Sequence, residues 1–211
     1  MNLIEKKDLN KIANQDDSIL GLDEVGWGAL AGPCVVCGVK ANKDWDLKGL
    51  NDSKKMTFLQ RKDMSAKLMD LAKNNIISFF IAERSNKEMD AVGPGPALNS
   101  LYIEVIDKMY KPNDIIILDG TLKINSDKIN KYNIFNMIKA DQSVPTVKAA
   151  SIIAKFYRDS LMINYSKNYP NFNFDKNFGY YSEDHVKIIE KYGFSDLHRK
   201  SYKIKKLSHL Y

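Results

Sequence analysis

The sequence predicts a single α/β domain with a mixed central sheet, extended at its C-terminal end by helices. Apolar runs follow one another closely near the start of the chain and then alternate with helix-like segments, which is the pattern of a mixed sheet flanked by helices. With 211 residues the chain fits one domain and can bury a substantial core. We expect the main domain to span residues 1–165 and the extension to span 166–211.

Short apolar runs bounded by turn residues predict the strands, and longer segments with helical periodicity predict the helices. The predicted strands are 18–24, 34–39, 76–82, 115–118 and 133–138. Gly32-Pro33 is turn chemistry that suits antiparallel pairing of the first two strands. The predicted helices are 57–73, 97–110, 147–168 and 182–192. Ser182 is a plausible N-cap for the last of these helices.

The overall charge permits a polyanionic partner. Lys and Arg number 32 against 26 Asp and Glu, which gives a net charge of +6 at pH 7. A basic surface favours nucleic acid, although a lysine-rich solvated surface explains the same composition. Composition therefore allows a nucleic-acid partner without requiring one.

The two cysteines, Cys34 and Cys37, form a C-x-x-C within a predicted strand. Residues three apart on a strand point to opposite faces of the sheet, so we expect buried free thiols rather than a redox pair or metal site. The sequence shows neither a secretory segment nor an apolar run of membrane-spanning length. We therefore expect a cytoplasmic protein with no membrane partner.

Two adjacent carboxylates, Asp23 and Glu24, end the first apolar run, and Gly26 and Gly28 follow. Such a pair is costly in an apolar setting unless a cation or another partner requires it. Glycines let the backbone approach a ligand closely. Because successive strand residues face opposite ways, either the strand bends at Glu24 or Glu24 acts partly through its backbone carbonyl.

Two further acids follow apolar runs in the same way: Asp119 precedes Gly120, and Asp141 follows the run that ends near residue 138. Acids at the ends of neighbouring strands would converge at one edge of the sheet. Carboxylates without histidine or cysteine select a hard divalent cation, Mg²⁺ or Mn²⁺. Such a cluster can hold two ions, one activating a water and one stabilising a leaving oxygen.

Ordered motifs along most of the chain resemble the type 2 ribonuclease H (ribonuclease HII) family. The acid pair followed by two spaced glycines and Gly-Pro begins the pattern, and acidic motifs, a signature helix and a C-terminal basic motif follow. The matching residues are Asp23-Glu24-Val25-Gly26-Trp27-Gly28, Gly32-Pro33, Asp52-Ser53-Lys54, Asp119-Gly120, Lys139-Ala140-Asp141, Ala149 to Lys155, Arg158-Asp159, Gly179-Tyr180, His185 and His198-Arg199-Lys200-Ser201-Tyr202.

The resemblance implies a ribonuclease H-like fold with a mixed five-stranded central sheet and a helical C-terminal extension that contributes to substrate binding. It also implies a two-metal endonuclease that hydrolyses the RNA strand of RNA–DNA hybrids and nicks duplex DNA 5′ of embedded ribonucleotides. The implied catalytic and metal-binding residues are Asp23, Glu24, Asp119 and Asp141. The implied nucleic-acid-binding residues are Gly26, Trp27, Gly28, Lys54, Ser151 and Tyr180. Arg158 and Asp159 resemble a structural pair, and we expect a monomer.

The chain departs from the family pattern at two positions, because Trp27 replaces an arginine and Ala140 replaces a glycine. An indole cannot make the charge-assisted phosphate contact of a guanidinium, although it can stack on a base or sugar. The alternative function is a hybrid-binding relative with weak cleavage or altered junction preference. A third hypothesis is another nuclease of the same fold, such as a resolvase or a transposase-type enzyme.

Overall fold

A computed structural model describes residues 2–14, 17–127 and 129–210. Its centre is a six-stranded mixed sheet in the order β1-β6-β5-β2-β3-β4. The strands are β1 (Asn2–Leu3), β2 (Ser18–Val25), β3 (Cys34–Asn42), β4 (Ser78–Arg84), β5 (Ile115–Asp119) and β6 (Asn133–Met137). The five predicted strands are present. The strand that the prediction lacked is β1, a two-residue edge strand too short to show a periodic pattern.

Eight α-helices surround this sheet in the described residues. They are α1 (Lys6–Ile12), α2 (Phe58–Lys73), α3 (Asn86–Val92), α4 (Pro94–Met109), α5 (Ala140–Ser143), α6 (Pro145–Asn168), α7 (Phe174–Asn177) and α8 (Glu183–Tyr192). The Ser182 side chain accepts a hydrogen bond from the His185 backbone N–H, which confirms the predicted N-cap of α8. The four predicted helices are present, and prolines at the first turns of α4 and α6 extend both upstream of the prediction.

Two hydrophobic cores cover the two faces of the sheet. Leu20, Leu22 and the apolar face of α4 form the first core. Val35, Val39 and residues of α2 and α6 form the second. Cys34 lies in the first core and Cys37 in the second, and both are buried free thiols, as predicted.

The order of the strands brings the predicted acids together. β5 lies between β2 and β6 and is parallel to both. The C-terminal ends of these three strands therefore meet at one edge of the sheet, which is where open α/β sheets place their ligand sites. β3 runs antiparallel to both β2 and β4, as the Gly32-Pro33 turn suggested.

The chain after α6 folds back onto the turn between β2 and β3. Gly32 N–H donates to the Leu197 carbonyl at 2.9 Å, and Arg199 N–H donates to the Leu30 carbonyl at 2.8 Å. Arg158 of α6, fully buried, donates to the carbonyls of Ala31, Pro33 and Phe178 at 2.8–2.9 Å. The C-terminal segment and the glycine turn are thus held together directly and through Arg158 of α6.

None of the helices in the described ranges is both long enough and apolar enough to cross a membrane.

Candidate active site

The acid pair lies at the end of a regular strand. β2 stays paired with β3 through Val25, so of the two alternatives for Glu24 the bend of the strand is wrong. Asp23 interacts with Ser151 of α6, and Glu24 accepts a hydrogen bond from the Tyr102 hydroxyl of α4 at 2.5 Å. The two carboxylates therefore face opposite layers, yet both line one cleft of about 440 Å³ beyond the strand end.

Asp119 and Asp141 approach this cleft in different ways. Asp119 is the last residue of β5 and lines the cleft. Asp141 does not end a strand as expected, because β6 stops at Met137 and Lys139 adopts a left-handed conformation with φ of 58° that starts α5. Asp141 lies in the first turn of this short helix and is buried.

Backbone and lysine donors orient these two carboxylates. The Ala140 N–H donates to Asp119 Oδ1 at 2.7 Å. Lys54 Nζ donates to Asp141 Oδ2 at 3.0 Å. Substituting alanine for the family glycine at 140 leaves this backbone contact to Asp119 in place.

The carboxylates shift the pKa values of one another. Burial, reinforced by the charge of Glu24, raises the pKa of Asp23 to about 8. Burial and the charge of Asp141 raise the pKa of Asp119. The hydrogen bond to Asp141 raises the pKa of Lys54. Of the two described lysines that line the cleft, Lys54 pairs with Asp141 and Lys155 pairs with Asp159. Asp23, Glu24 and Asp119 are therefore paired with neither of these lysines, which is a setting that favours a bound cation.

The donor set fits a hard divalent cation, because every candidate ligand is a carboxylate oxygen. Among the residues described, no group of three or more His, Cys, Asp or Glu side chains is arranged to hold an ion as it stands. Mg²⁺ commonly takes one or two carboxylates and completes its shell with water and substrate oxygens. The residues therefore suit an ion that shares its shell with substrate.

The two glycines of the turn differ in their surroundings. Gly26 has a φ of +82°, and a Cβ there would lie 2.0 Å from Arg158 Nε. Its N–H donates to the Tyr180 hydroxyl at 3.1 Å. A Cβ at Gly28 would meet no atom within 4 Å. Folding requires glycine at 26, whereas the backbone at 28 is open to the cleft.

Trp27 is held firmly between these glycines. Its carbonyl accepts hydrogen bonds from Arg199 Nη1 at 2.7 Å and from the Tyr202 hydroxyl at 2.5 Å. Its indole N–H donates to the Pro94 carbonyl at 3.2 Å, and the side chain remains 44% exposed. The indole therefore has a fixed orientation at the rim of the cleft.

Tyr180 also lines the cleft, and two cations lie near its ring. Its ring centroid lies 5.5 Å from Lys155 Nζ and 5.1 Å from the Arg158 guanidinium carbon. His185 Nδ1 donates to the Tyr180 carbonyl at 2.8 Å. The backbone and the hydroxyl of Tyr180 are therefore both anchored.

A chain of two buried histidines supports Tyr180. His198 Nδ1 accepts from the Ser195 N–H at 2.9 Å, so His198 carries its proton on Nε2. His198 Nε2 donates to His185 Nε2 at 3.1 Å, which leaves the His185 proton on Nδ1, facing Tyr180. Each neutral ring thus has one defined tautomer.

Ser151, a predicted phosphate contact, lies in the cleft with its hydroxyl already engaged. It bonds to the Ser53 hydroxyl at 2.8 Å and to Asp23. Lys54 is the more accessible predicted contact, since 72% of its side chain is exposed.

Arg158 and Asp159 do not pair with one another, contrary to the prediction. Arg158 bonds to backbone carbonyls, whereas Asp159 bonds to Arg61 at 2.9 Å and Lys155 at 2.8 Å. The two side chains leave α6 in different directions because they are adjacent in the helix.

The sequence did not single out two residues of the site. Tyr102 is 78 residues from Glu24 and belongs to no motif, so only the fold reveals their contact. Lys155 lines the cleft and belongs to the signature helix, so its motif was the signal that could have identified it.

Comparisons with known proteins place the chain in a family and identify its fold. The sequence model of the family described as Ribonuclease HII matches residues 20–205. A ribonuclease HII from Clostridium beijerinckii is 39% identical over 193 residues, covering 90% of this chain and 68% of that protein. A chain in the structure of the PCNA:RNase HII complex from Archaeoglobus fulgidus superposes with a TM-score of 0.71 at 25% identity, covering 89% of this chain and 96% of that one.

A more distant fold neighbour is Bst-RNase HIII, solved in complex with Mn²⁺. It has a TM-score of 0.62 at 21% identity and covers 87% of this chain and 65% of that one. Fold and neighbours together define a ribonuclease H-like protein, as the sequence predicted. The chain belongs to the Ribonuclease HII family. It is a metal-dependent hydrolase of phosphodiester bonds.

Proposed function

We propose that this chain is an endonuclease that hydrolyses the RNA strand of RNA–DNA hybrids and nicks duplex DNA 5′ of embedded ribonucleotides. The observation that carries the proposal is the convergence of Asp23, Glu24 and Asp119 on one cleft beside an open backbone turn, with Asp141 buried next to them. The family match adds the substrate class.

The four carboxylates would hold two divalent cations, Mg²⁺ or Mn²⁺. When bound, these cations supply an activated water and stabilise the leaving oxygen of the phosphodiester. The fold neighbour in complex with Mn²⁺ supports a divalent ion of this class.

The surrounding residues set the orientation of each carboxylate. Tyr102 holds Glu24, the Ala140 N–H holds Asp119, and Ser151 holds Asp23. Lys54 neutralises Asp141 in the absence of a cation and can turn to a substrate phosphate, because most of its side chain is exposed. These contacts preorganise the donors before substrate arrives.

The proposed substrate contacts come from the glycine turn, from Tyr180 and from Ser151. The open backbone at Gly28 can approach a ribose, whose 2′-hydroxyl distinguishes RNA from DNA. Tyr180 offers a ring face that tolerates any nucleotide. A phosphate contact from Ser151 would have to displace its bond to Ser53. Segment 166–211 contributes by supporting Tyr180 and Trp27.

We also propose that the protein acts as a monomer in the cytoplasm. The four proposed metal ligands belong to one chain, so a second copy is not needed to complete the site. The similar ribonuclease HII from Clostridium beijerinckii is a bacterial protein, and bacterial DNA lies in the cytoplasm.

The alternative function, a hybrid-binding relative that cuts weakly because of Trp27, gains no support from the comparisons. The Trp27 carbonyl is held by Arg199 and Tyr202, and these contacts do not depend on the side chain at position 27. The family match likewise favours ribonuclease HII over a resolvase or transposase-type nuclease.

The proposal is tested by offering the purified protein three labelled duplexes that differ only in sugar: one with a single ribonucleotide, one with an RNA strand, and one of DNA alone. With Mg²⁺ or Mn²⁺ we expect cuts in the first two, a 5′ nick at the single ribonucleotide, and loss of all cutting in a chelator. Cutting of the all-DNA duplex at the same rate, or binding of the hybrid without cutting in either metal, would overturn it.

A further inference from the structure

Trp27 borders a second depression, which lies between the turn, α4 and the loop after β5. This Trp27 cleft has a volume of about 400 Å³ and is lined by Trp27, by Gly95, Pro96 and Asn99 of α4, and by Leu122 and Lys123 of the loop after β5. Trp27 also lines the catalytic cleft, so the two depressions share this residue.

The walls of the Trp27 cleft are tied together before any ligand binds. Asn99 Nδ2 donates to the Asn125 carbonyl at 2.9 Å, and the Asn125 N–H donates back to Asn99 Oδ1 at 2.7 Å. Asn136 Nδ2 donates to the Leu122 carbonyl at 2.9 Å. The loop that carries Lys123 is therefore anchored to both α4 and β6, and binding there needs little ordering of the protein.

The chemistry of the Trp27 cleft is the opposite of that in the catalytic cleft. Among the described residues that line it, none is acidic, and Lys123 supplies a positive charge on an exposed side chain. An exposed indole beside a lysine is the combination that holds a nucleotide, the ring stacking on a base or sugar and the ammonium pairing with phosphate. Because this depression shares Trp27 with the proposed nuclease cleft, we favour a nucleotide over a peptide as its ligand.

We propose that Trp27 and Lys123 form a second nucleic-acid contact site, which holds a nucleotide of the substrate duplex flanking the one in the catalytic cleft. This inference rests on the proposed function for the identity of the duplex. In this proposal Trp27, which stands where the family has arginine, contacts the substrate by stacking. Together with a phosphate contact from Lys123, that stacking replaces the single charged contact that an arginine would make.

The first test is the salt dependence of duplex binding, measured in the non-cutting Asp119→Asn background with the single-ribonucleotide duplex. Loss of one phosphate contact should lower the slope of log affinity against log salt by about 0.9 in Lys123→Ala. The matched control is Lys67→Ala, an exposed lysine on α2 across the sheet, whose slope should equal that of the parent. An unchanged slope for Lys123→Ala would overturn the proposal.

The second test uses the fluorescence of Trp27. The chain has two tryptophans, so Trp45→Phe leaves Trp27 as the only one. Adding the same duplex should quench this emission, and Trp27→Ala should weaken binding at least about fivefold while Trp27→Phe keeps most of it. Emission that does not respond to saturating duplex would show that the indole is not a contact.

These outcomes are separable from a failure of the proposed function. If the parent protein cuts ribonucleotide-containing duplexes but the Lys123 and Trp27 variants bind as it does, the second site is wrong and the nuclease assignment stands. If the parent protein cuts none of them, the nuclease assignment fails, whereas the salt slope still reports whether Lys123 contacts a duplex phosphate.

Discussion

Gly26 and Gly28 lie two residues apart in the same turn, and their different surroundings predict different outcomes for the same substitution. Gly26→Ala would place a methyl group against the buried Arg158 at a φ of +82°. We expect it to lower the free energy of unfolding by about 1–3 kcal/mol or more. Gly28→Ala meets only open space, so its stability should stay within about 0.5 kcal/mol of the parent protein.

Urea unfolding and nicking rates together check this pair. Gly28→Ala should fold normally and nick a single ribonucleotide more slowly, because its methyl group would stand where the backbone approaches the ribose. A Gly26→Ala protein as stable as the parent would contradict the backbone argument. A Gly28→Ala protein that nicks at the parental rate would contradict the role of residue 28 in ribose recognition.

The buried carboxylate of Asp23 should destabilise the metal-free protein at neutral and alkaline pH. Its pKa of about 8 in the folded protein lies above the ordinary value of 3.8, so the folded state binds the proton more tightly. This tighter proton binding contributes to the free energy of unfolding. The contribution is fully present below about pH 4 and is lost as the pH rises through 8. At pH 8 without metal, Asp23→Asn should therefore be more stable than the parent by an amount on the order of 1 kcal/mol or more.

Denaturant unfolding in chelator between pH 5 and 9 measures this effect. The difference in the free energy of unfolding between Asp23→Asn and the parent should widen as the pH rises. Added Mg²⁺ should stabilise the parent more than the variant. A variant that is less stable than the parent at every pH would show that the carboxylate contributes net stability instead.

At the scale of elements, the histidine chain couples α8 and the loop at 195–198 to Tyr180. Burial, with a smaller effect of neighbouring His185, lowers the pKa of His198 to about 3. Because this value lies below the ordinary 6.5, the neutral His198 ring contributes to the free energy of unfolding. The contribution is fully present above pH 6.5 and is lost as the pH falls from 6.5 towards 3. Mild acid should loosen this part of the molecule first.

We expect the parent to lose more stability than His198→Gln between pH 7.5 and 5, by a difference on the order of 1–2 kcal/mol. The free energy of unfolding at the two pH values measures this difference. His209→Gln, at an exposed histidine near the end of the chain, is the control and should behave as the parent does. Equal losses in all three proteins would show that His198 is not kept neutral by burial.

The elements with strong local patterns were predictable from the sequence, and those defined by distant contacts were not. Each of the apolar strands carries its signal within five to nine residues, and Ser182 marks the start of α8 locally. β1 consists of two exposed residues, and its place at the sheet edge depends on β6, more than 130 positions away. The left-handed turn at Lys139 likewise moved Asp141 from a strand end into α5.

At the scale of the whole molecule, sheet topology explains why the acids could be predicted and their supports could not. Asp23 and Asp119 end neighbouring parallel strands, and that arrangement follows from the order of the elements. The supports come from remote segments: Tyr102 reaches Glu24 across 78 positions, and Arg199 reaches Trp27 across 172. Contacts of this range leave no periodic trace in the sequence.

The most direct test of the four-carboxylate centre is the rate of Mg²⁺-dependent nicking 5′ of a single ribonucleotide in Asp23→Asn, Glu24→Gln, Asp119→Asn and Asp141→Asn. The matched control is Asp63→Asn, at an exposed acid on α2. We expect each of the four substitutions to lower the rate at least about 100-fold, with binding of the duplex retained and the control unchanged. A parental rate in any one of the four would contradict its place in the centre.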